Sequence, residues 1–176
     1  TQAAGKGLGL TCLIDPAAPE WILGDATRLR QMLCNLVGNA IKYTERGAVA
    51  VRVDWVSIAG VMGRLEISVR DTGPGIPEAA RSKLFQAFSR LDPADFREGA
   101  GLGLALVAAL CRSAGGAVEL AYTGPEGTCF RILLPCLTTC SPHGVEPAAP
   151  RTPGLPGIRV LVADDSPLIR ELFCTY

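Results

Sequence analysis

The stretch Asp25–Thr44, DATRLRQMLCNLVGNAIKYT, decides how this chain is read. It predicts one helix of about five turns. At about 100° per residue, Leu29, Leu33, Leu36, Val37 and Ala40 fall on one side as a core-facing stripe. Arg28, Gln31, Asn35, Asn39 and Lys42 fall on the other. A solvated helix face is normally rich in Glu and Lys. This one carries two carboxamides at i and i+4, a lysine three residues on, and Gly38 beside them. Neutral oxygen ligands, a cation and a small residue suit a metal-bound phosphate lying against the helix. An ordinary polar outer face accounts for the same residues, so the helix alone leaves both readings open.

The chain has 176 residues, with 17 Lys and Arg balanced by 17 Asp and Glu. That length suits one domain of ordinary size with room for a fragment of another, and it buries a substantial core without staples. A net charge of zero with scattered cations argues against a nucleic-acid or acidic-membrane surface. No apolar run approaches the roughly eighteen residues a membrane span needs, and the N-terminal TQAAGKGLGL lacks a signal peptide's apolar stretch. Cysteines number seven, an odd count. Cys12, Cys34, Cys111, Cys129 and Cys136 sit in apolar segments, where a free thiol acts as a small hydrophobe. With no C-x-x-C pair and His143 as the only histidine, a zinc site is disfavoured, and free thiols suit a reducing cytoplasm.

Around the helix, Gly7–Asp15 alternates enough for a strand that Pro16 and Pro19 end, and Glu20–Leu23 pairs briefly at most. Gly24-Asp25 reads as turn and N-cap, and Gly47 follows the helix near a C-cap position. Ala48–Val56 and Arg64–Asp71 alternate with period two and predict an antiparallel hairpin, with Ser57–Gly63 as its turn. Asp71-Thr-Gly-Pro-Gly-Ile-Pro77 is the sharpest punctuation in the chain, and a helix over Glu78–Phe88 is expected after Pro77. Ser89–Glu98 is a polar loop, Gly99-Ala-Gly-Leu-Gly103 leads into an apolar helix over Leu104–Ala114, and Ala117–Tyr122 with Thr128–Leu134 predicts a second hairpin. From Thr138 to Gly157 prolines recur without periodicity, which reads as a linker. Structure resumes at 158–176 with IRVLVADDSPLIRELF.

Two motifs carry chemistry beside the helix. A carboxylate at a strand end, Asp71, can accept a hydrogen bond from an exocyclic amine, and Gly73 and Gly75 let a flat ring approach the backbone. A helix-capping D-T-G turn explains the same residues. Gly99, Gly101 and Gly103 form G-x-G-x-G, with Leu104 where a dinucleotide fingerprint wants Gly or Ala, and no Gly-Lys-Ser/Thr follows to make a P-loop. The loop nevertheless leads into a helix N-terminus, whose exposed N–H groups and dipole favour phosphate oxygens. Close packing by small residues is the other use of such glycines.

Taken in order, these residues resemble the ATP-binding catalytic domain of sensor histidine kinases, within the gyrase, chaperone, kinase and mismatch-repair ATPase superfamily. Asn35-Leu-Val-Gly-Asn39-Ala-Ile-Lys-Tyr-Thr44 is similar to the N box, Asp71-Thr-Gly-Pro-Gly75 to the first glycine box, Phe85-Gln-Ala-Phe88 to the F box, and Gly99-Ala-Gly-Leu-Gly103-Leu104 to the second glycine box. The likeness covers about Lys6–Pro135. It implies an α/β sandwich, a mixed and mostly antiparallel sheet with three helices on one face, and ATP and Mg²⁺ between helix and lid. Asn39, with Asn35 beside it, would hold Mg²⁺ on the ATP phosphates, and Lys42 and Arg90 would lie near phosphate oxygens. Asn35, Asn39 and Lys42 would form the catalytic set. Tyr43 would pack over the nucleotide, and Asp71 would recognise the adenine amine with Gly73, Gly75, Ile76 and Thr128 around it. Ser89–Glu98 would be the lid, anchored by Phe85 and Phe88, with Gly99, Gly101, Leu102, Gly103 and Leu104 as hinge and phosphate cradle. The sequence departs from the family pattern in Tyr43 for the commoner Phe, Ala100 for a frequent Thr, and a short lid. Hydrolysing members carry Glu at position 35 as a base for water. Asn35 takes no proton at neutral pH, which favours transfer over hydrolysis.

In that family the phosphate acceptor is a histidine on a preceding helical dimerisation domain, and the chain begins after the place for it. His143 sits in a linker without helical pattern and is a poor substitute. Val160-Leu-Val-Ala-Asp164-Asp165-Ser-Pro resembles the opening of a response-regulator receiver domain, whose acidic pair helps bind Mg²⁺; a lone opening strand cannot bury its faces. The expected layout is therefore a catalytic domain over 1–137, a linker over 138–157 and a receiver fragment over 158–176, cut from a hybrid histidine kinase. The resemblance implies a homodimeric parent, a cytoplasmic segment of a protein that can be anchored at the inner membrane, and a histidine-bearing domain and a receiver domain as partners, with no nucleic-acid or membrane contact here. A nucleotide-binding regulatory module, a hydrolysing relative and a purely structural domain are the competing readings.

Overall fold

A computed structural model of the chain describes residues 2–88 and 102–139. Six strands form one sheet: β1 (Gly9–Ile14), β2 (Ile22–Leu23), β3 (Ala48–Ala59), β4 (Met62–Asp71), β5 (Ala117–Gly124) and β6 (Gly127–Thr138). Four helices accompany them: α1 (Gln2–Gly5), α2 (Ala26–Tyr43), α3 (Glu78–Arg81) and α4 (Gly103–Ser113). The strands lie in the order β1, β3, β4, β6, with β2 and β5 sharing the far side of β6. Among the described residues only β1–β3 is parallel. Parallel neighbours need a long crossover, and α2 supplies it.

The sheet buries one face. Val49 and Val51 of β3, Leu65, Ile67 and Val69 of β4, and Phe130, Ile132 and Leu134 of β6 all point beneath the helices. They alternate with charged residues on the open face, where Arg52 pairs with Asp54, Arg64 with Glu66 and Arg131 with Glu119. The period-two pattern thus reports burial on one side only. Helix α2 lies across β3 and β4 and beside α4. Its fully buried residues are Met32, Leu36, Val37, Ala40 and Ile41. The stripe is therefore rotated from the expected one: Leu29 and Leu33 are only partly buried, while Met32 and Ile41 join the core. A second helix at its side causes this rotation, since Met32 Sδ meets Cys111 Sγ of α4 at 3.4 Å.

Three expectations need correction. The helix expected over Glu78–Phe88 ends at Arg81, and turns carry the chain on to Phe88, which adopts φ 61°. The apolar spacing there is met by Leu84 in the core and by Phe85, whose ring stands edge-on to Phe130 at 6.2 Å, so anchoring rather than helix length decides it. The turn of the first hairpin is only Gly60-Val61, because β3 and β4 pair as far as Ala59 and Met62. Helix α1, ahead of the first strand, has no clear counterpart in the pattern of the sequence. Strand β6 runs through Thr138. The expected linker and receiver fragment from 140 on, with His143, Asp164 and Asp165, lie outside the described residues. No described helix is long and apolar enough to cross a membrane.

Candidate functional site

Asp71 ends β4 and is 7% exposed. Its Oδ1 accepts hydrogen bonds from the backbone N–H of Gly73 at 2.8 Å and of Thr128 at 3.2 Å. Oδ2 takes no hydrogen bond among the described residues. Burial pushes this carboxyl above its ordinary value of 3.8, against the two N–H groups that pull it down. The site therefore holds a carboxylate oxygen on a largely buried residue with no donor among the described residues, which suits an incoming amine.

The backbone around Asp71 is stripped of side chains. At Gly73 a Cβ would stand 2.9 Å from Asp71 Oδ1 and 3.1 Å from the Tyr43 carbonyl, tying the turn to the end of α2. Gly75 has φ 79°, and a Cβ there would meet the Gly124 carbonyl at 2.3 Å. The next residue, Ile76, is pinned by its N–H donating to Thr123 Oγ1 at 2.7 Å and its carbonyl accepting from Arg81 Nε at 3.2 Å.

The second part of the candidate site lies along α2. Asn35 Nδ2 donates to the Gln31 carbonyl at 2.8 Å, which leaves Oδ1 directed at the start of α4. That Oδ1 stands 2.9 Å from the point a Gly103 Cβ would take, and Asn39 Nδ2 stands 3.8 Å from it. The second glycine motif thus delivers the start of α4 onto the two carboxamides. Leu102 precedes α4 without a side-chain cap, and the first intrahelical bond is Leu106 N–H to the Leu102 carbonyl at 2.9 Å. The N–H groups of Gly103, Leu104 and Ala105 so remain for an acceptor outside the helix. In the last turn of α2, Lys42 Nζ lies 5.0 Å from the Tyr43 ring centroid.

Not every residue expected at the site is there. Arg28, on the same polar face of α2, is at the opposite end, where it pairs with Asp25 and donates to Ser113 Oγ at 3.1 Å. Arg28 and Gln31 thus stay exposed at that end, and the part of the face from Asn35 to Lys42 is the part that adjoins Gly103 and the Asp71 turn. Phe85 packs against the core, whereas Phe88 is 76% exposed. Arg90, Gly99 and Gly101, with the expected lid, lie outside the described residues. Sequence reasoning missed Thr123, which pins Ile76, and Thr44, whose buried hydroxyl finds no hydrogen-bond partner among the described residues. Neither carries a signal beyond a threonine beside a motif.

Residues 24–138 match the family described as histidine kinase-, DNA gyrase B-, and HSP90-like ATPase. The chain belongs to that family. It is 40% identical over 127 residues to the signal transduction histidine-protein kinase BarA of Escherichia coli, covering 71% of this chain and 14% of the relative. It is 40% identical over 137 residues to the sensory/regulatory protein RpfC of Xanthomonas campestris, covering 76% of this chain and 19% of the relative. The chain thus spans under a fifth of the length of these two relatives. Among solved structures, full-length ShkA in complex with AMPPNP is similar with a TM-score of 0.68 and 39% identity, over 81% of this chain and 28% of that one. The mycobacterial sensor histidine kinase MprB is similar with a TM-score of 0.59 and 30% identity, over 78% of this chain and 88% of that one. In this ATPase-family domain the Asp71 turn approaches the end of α2 at the Tyr43 carbonyl, and Gly103 of α4 approaches Asn35 and Asn39.

The residues fit a magnesium nucleotide on structural grounds. Asp71 Oδ2 and the bare backbone of Gly73 and Gly75 suit a planar base with an amine, and Asn35 Oδ1 is a hard, neutral oxygen beside the start of α4, which has no side-chain cap among the described residues. Magnesium takes oxygen ligands and keeps several waters, so one or two amide oxygens suffice. Among the described residues no cluster of three or more His, Cys, Asp or Glu forms a metal site, so the ligand's own phosphates would supply the remaining charge. Four of the cysteines are poor metal ligands: burial pushes the thiols of Cys12, Cys129 and Cys136 up, and that of Cys111 to about 11, which keeps them protonated.

Proposed function

We propose that this domain binds Mg·ATP and presents its γ-phosphate to a histidine on a dimerisation domain, as one step of a two-component phosphorelay. The observation that carries the reading is the pairing, in one groove, of a buried carboxylate with an unused oxygen and a carboxamide face against an uncapped helix start. The relatives' names as histidine kinases, and ShkA's complex with an ATP analogue, support it.

Asp71 Oδ2 would accept from the adenine amine, with Gly73, Gly75, Ile76 and Thr128 shaping the slot and Tyr43 packing over the nucleotide. Asn39 and Asn35 would hold Mg²⁺, which when bound neutralises phosphate charge and fixes the phosphate geometry. Lys42 and Arg90 would lie near phosphate oxygens, and the N–H groups at Gly103 and Leu104, with Gly99, Gly101 and Leu102 before them, would cradle the phosphates. The acceptor imidazole nitrogen would form a bond to the γ-phosphorus as the bridging oxygen–phosphorus bond breaks, and ADP would leave with that electron pair. Catalysis here is positioning and charge stabilisation. Asn35, a carboxamide, is no base for water, so ATP is held without rapid hydrolysis.

Transfer of radiolabelled γ-phosphate to a supplied histidine-bearing dimerisation domain tests this. Label on the histidine is expected, with hydrolysis weak beside that of dedicated ATPases. Tight binding without any transfer would instead mark a nucleotide-binding regulatory module. Fast hydrolysis abolished by Asn35→Ala would overturn the assignment of Asn35. A receiver domain, which the 158–176 segment resembles, is the proposed next acceptor.

A further inference from the structure

Lys6 lies outside the 24–138 family match and outside the groove, yet it reaches the helix that lines the groove. It stands where α1 ends. There the Leu8 N–H donates to the Ala3 carbonyl at 3.0 Å and the Gly7 N–H to the Ala4 carbonyl at 3.0 Å, with Gly7 at φ 64°. This is the Schellman pattern, which closes a helix through a left-handed residue and brings two apolar residues together. Those two, Ala3 and Leu8, are both buried in the core. Lys6 is therefore mounted on a turn that is fixed at both sides.

From that mount its ammonium donates to three carbonyls at the end of α2: Ile41 at 2.7 Å, Lys42 at 3.0 Å and Thr44 at 3.2 Å. An ammonium has three N–H donors, and the last carbonyls of a helix lack partners within it. The positive charge also opposes the negative end of the helix dipole. The backbone closes this end through the Thr44 N–H bonded to the Ala40 carbonyl at 3.0 Å. The turn so held carries Lys42 and Tyr43, and its Tyr43 carbonyl packs against Gly73.

We propose that Lys6 is a positioning residue for nucleotide binding: it clamps the last turn of α2 and so fixes Lys42 at the phosphate end of the groove, tying the N-terminal segment to the nucleotide. The inference rests on the nucleotide reading above. Asp71 sits on β4 and keeps its own N–H partners, whereas Lys42 is carried on the clamped turn itself, so the clamp bears on Lys42 directly.

Calorimetry on the full chain with Mg·ATP and, separately, with adenosine tests it, comparing wild type, Lys6→Met and Lys6→Arg. Lys6→Met is expected to lose about tenfold in Mg·ATP affinity, the scale of losing charge-assisted hydrogen bonds, while adenosine affinity stays within about twofold. Lys6→Arg is expected to recover most of the loss, and exchange of the Thr44 amide is expected to speed up in Lys6→Met. An equal fall for both ligands, no fall for Mg·ATP, or no recovery with arginine would overturn the proposal. Should Lys6→Met fail to fold, Lys6→Gln, neutral but polar, carries the same comparison. If wild type itself binds no Mg·ATP, the nucleotide reading fails; unchanged Thr44 exchange in Lys6→Met would then sink the clamp on its own.

Discussion

At the scale of single residues, Asp71 is the proposed base-reading group. Its carboxyl is held above 3.8 by burial, so the native state takes up a proton more readily than the unfolded chain. The stability this contributes is complete below the unfolded value and is lost as pH rises through the raised native value. Relative to Asp71→Asn, wild type is therefore expected to gain stability as pH falls through that window, measurable by denaturant melts at several pH values. Nucleotide affinity should run the opposite way, falling as the acceptor is protonated. Gly75 gives a second residue-scale prediction. At φ 79° with the Gly124 carbonyl in the way, Gly75→Ala should cost about 2 kcal/mol and lower the melting temperature by several degrees. Asp71 and Gly75 were both legible in the sequence because a carboxylate and glycines at a strand end have few uses. Thr123 was not, since nothing local marks a hydroxyl that serves a backbone N–H 47 positions away.

At the scale of elements, α2 was read within a residue of its ends. Its N-cap is real: Asp25 Oδ1 accepts from the Arg28 N–H at 3.0 Å. Asp25→Ala should remove about 1 kcal/mol from the unfolding free energy, visible in a thermal melt, with nucleotide affinity unchanged because Asp25 is at the far end of the helix. Gly103 separates stability from binding in the other direction. Alanine favours helix over glycine, yet its Cβ would stand 2.9 Å from Asn35 Oδ1. Gly103→Ala is expected to hold or raise the melting temperature while weakening Mg·ATP severalfold by calorimetry. The elements that sequence misjudged share a cause. The rotation of the buried stripe on α2 depends on α4, and the shortness of α3 depends on Phe85 finding Phe130; both are contacts between segments far apart in the chain. Periodicity within one segment does not report them.

At the scale of the molecule, the alternating strands and the glycine punctuation gave the sheet's composition, but not its order. The parallel placement of β1 beside β3 follows from α2 crossing between them, and the central place of β6, flanked by β4 on one side and by β2 and β5 on the other, is set by non-local pairing. That order brings the ends of β4, α2 and α4 together and so turns separate motifs into one groove. The central claim is that this groove is built for Mg·ATP, with Asp71 as its base-reading residue. Asp71→Asn keeps an Oδ1 for Gly73 and Thr128 but replaces the unused acceptor by a donor, so it leaves the fold's hydrogen bonds in place. Titration calorimetry of Mg·ATP into wild type and Asp71→Asn at neutral pH is the most direct measurement. Saturable binding by wild type, weakened about tenfold or more in a folded Asp71→Asn, is the expected result; no heat with wild type, or equal affinity in the two, would contradict the account.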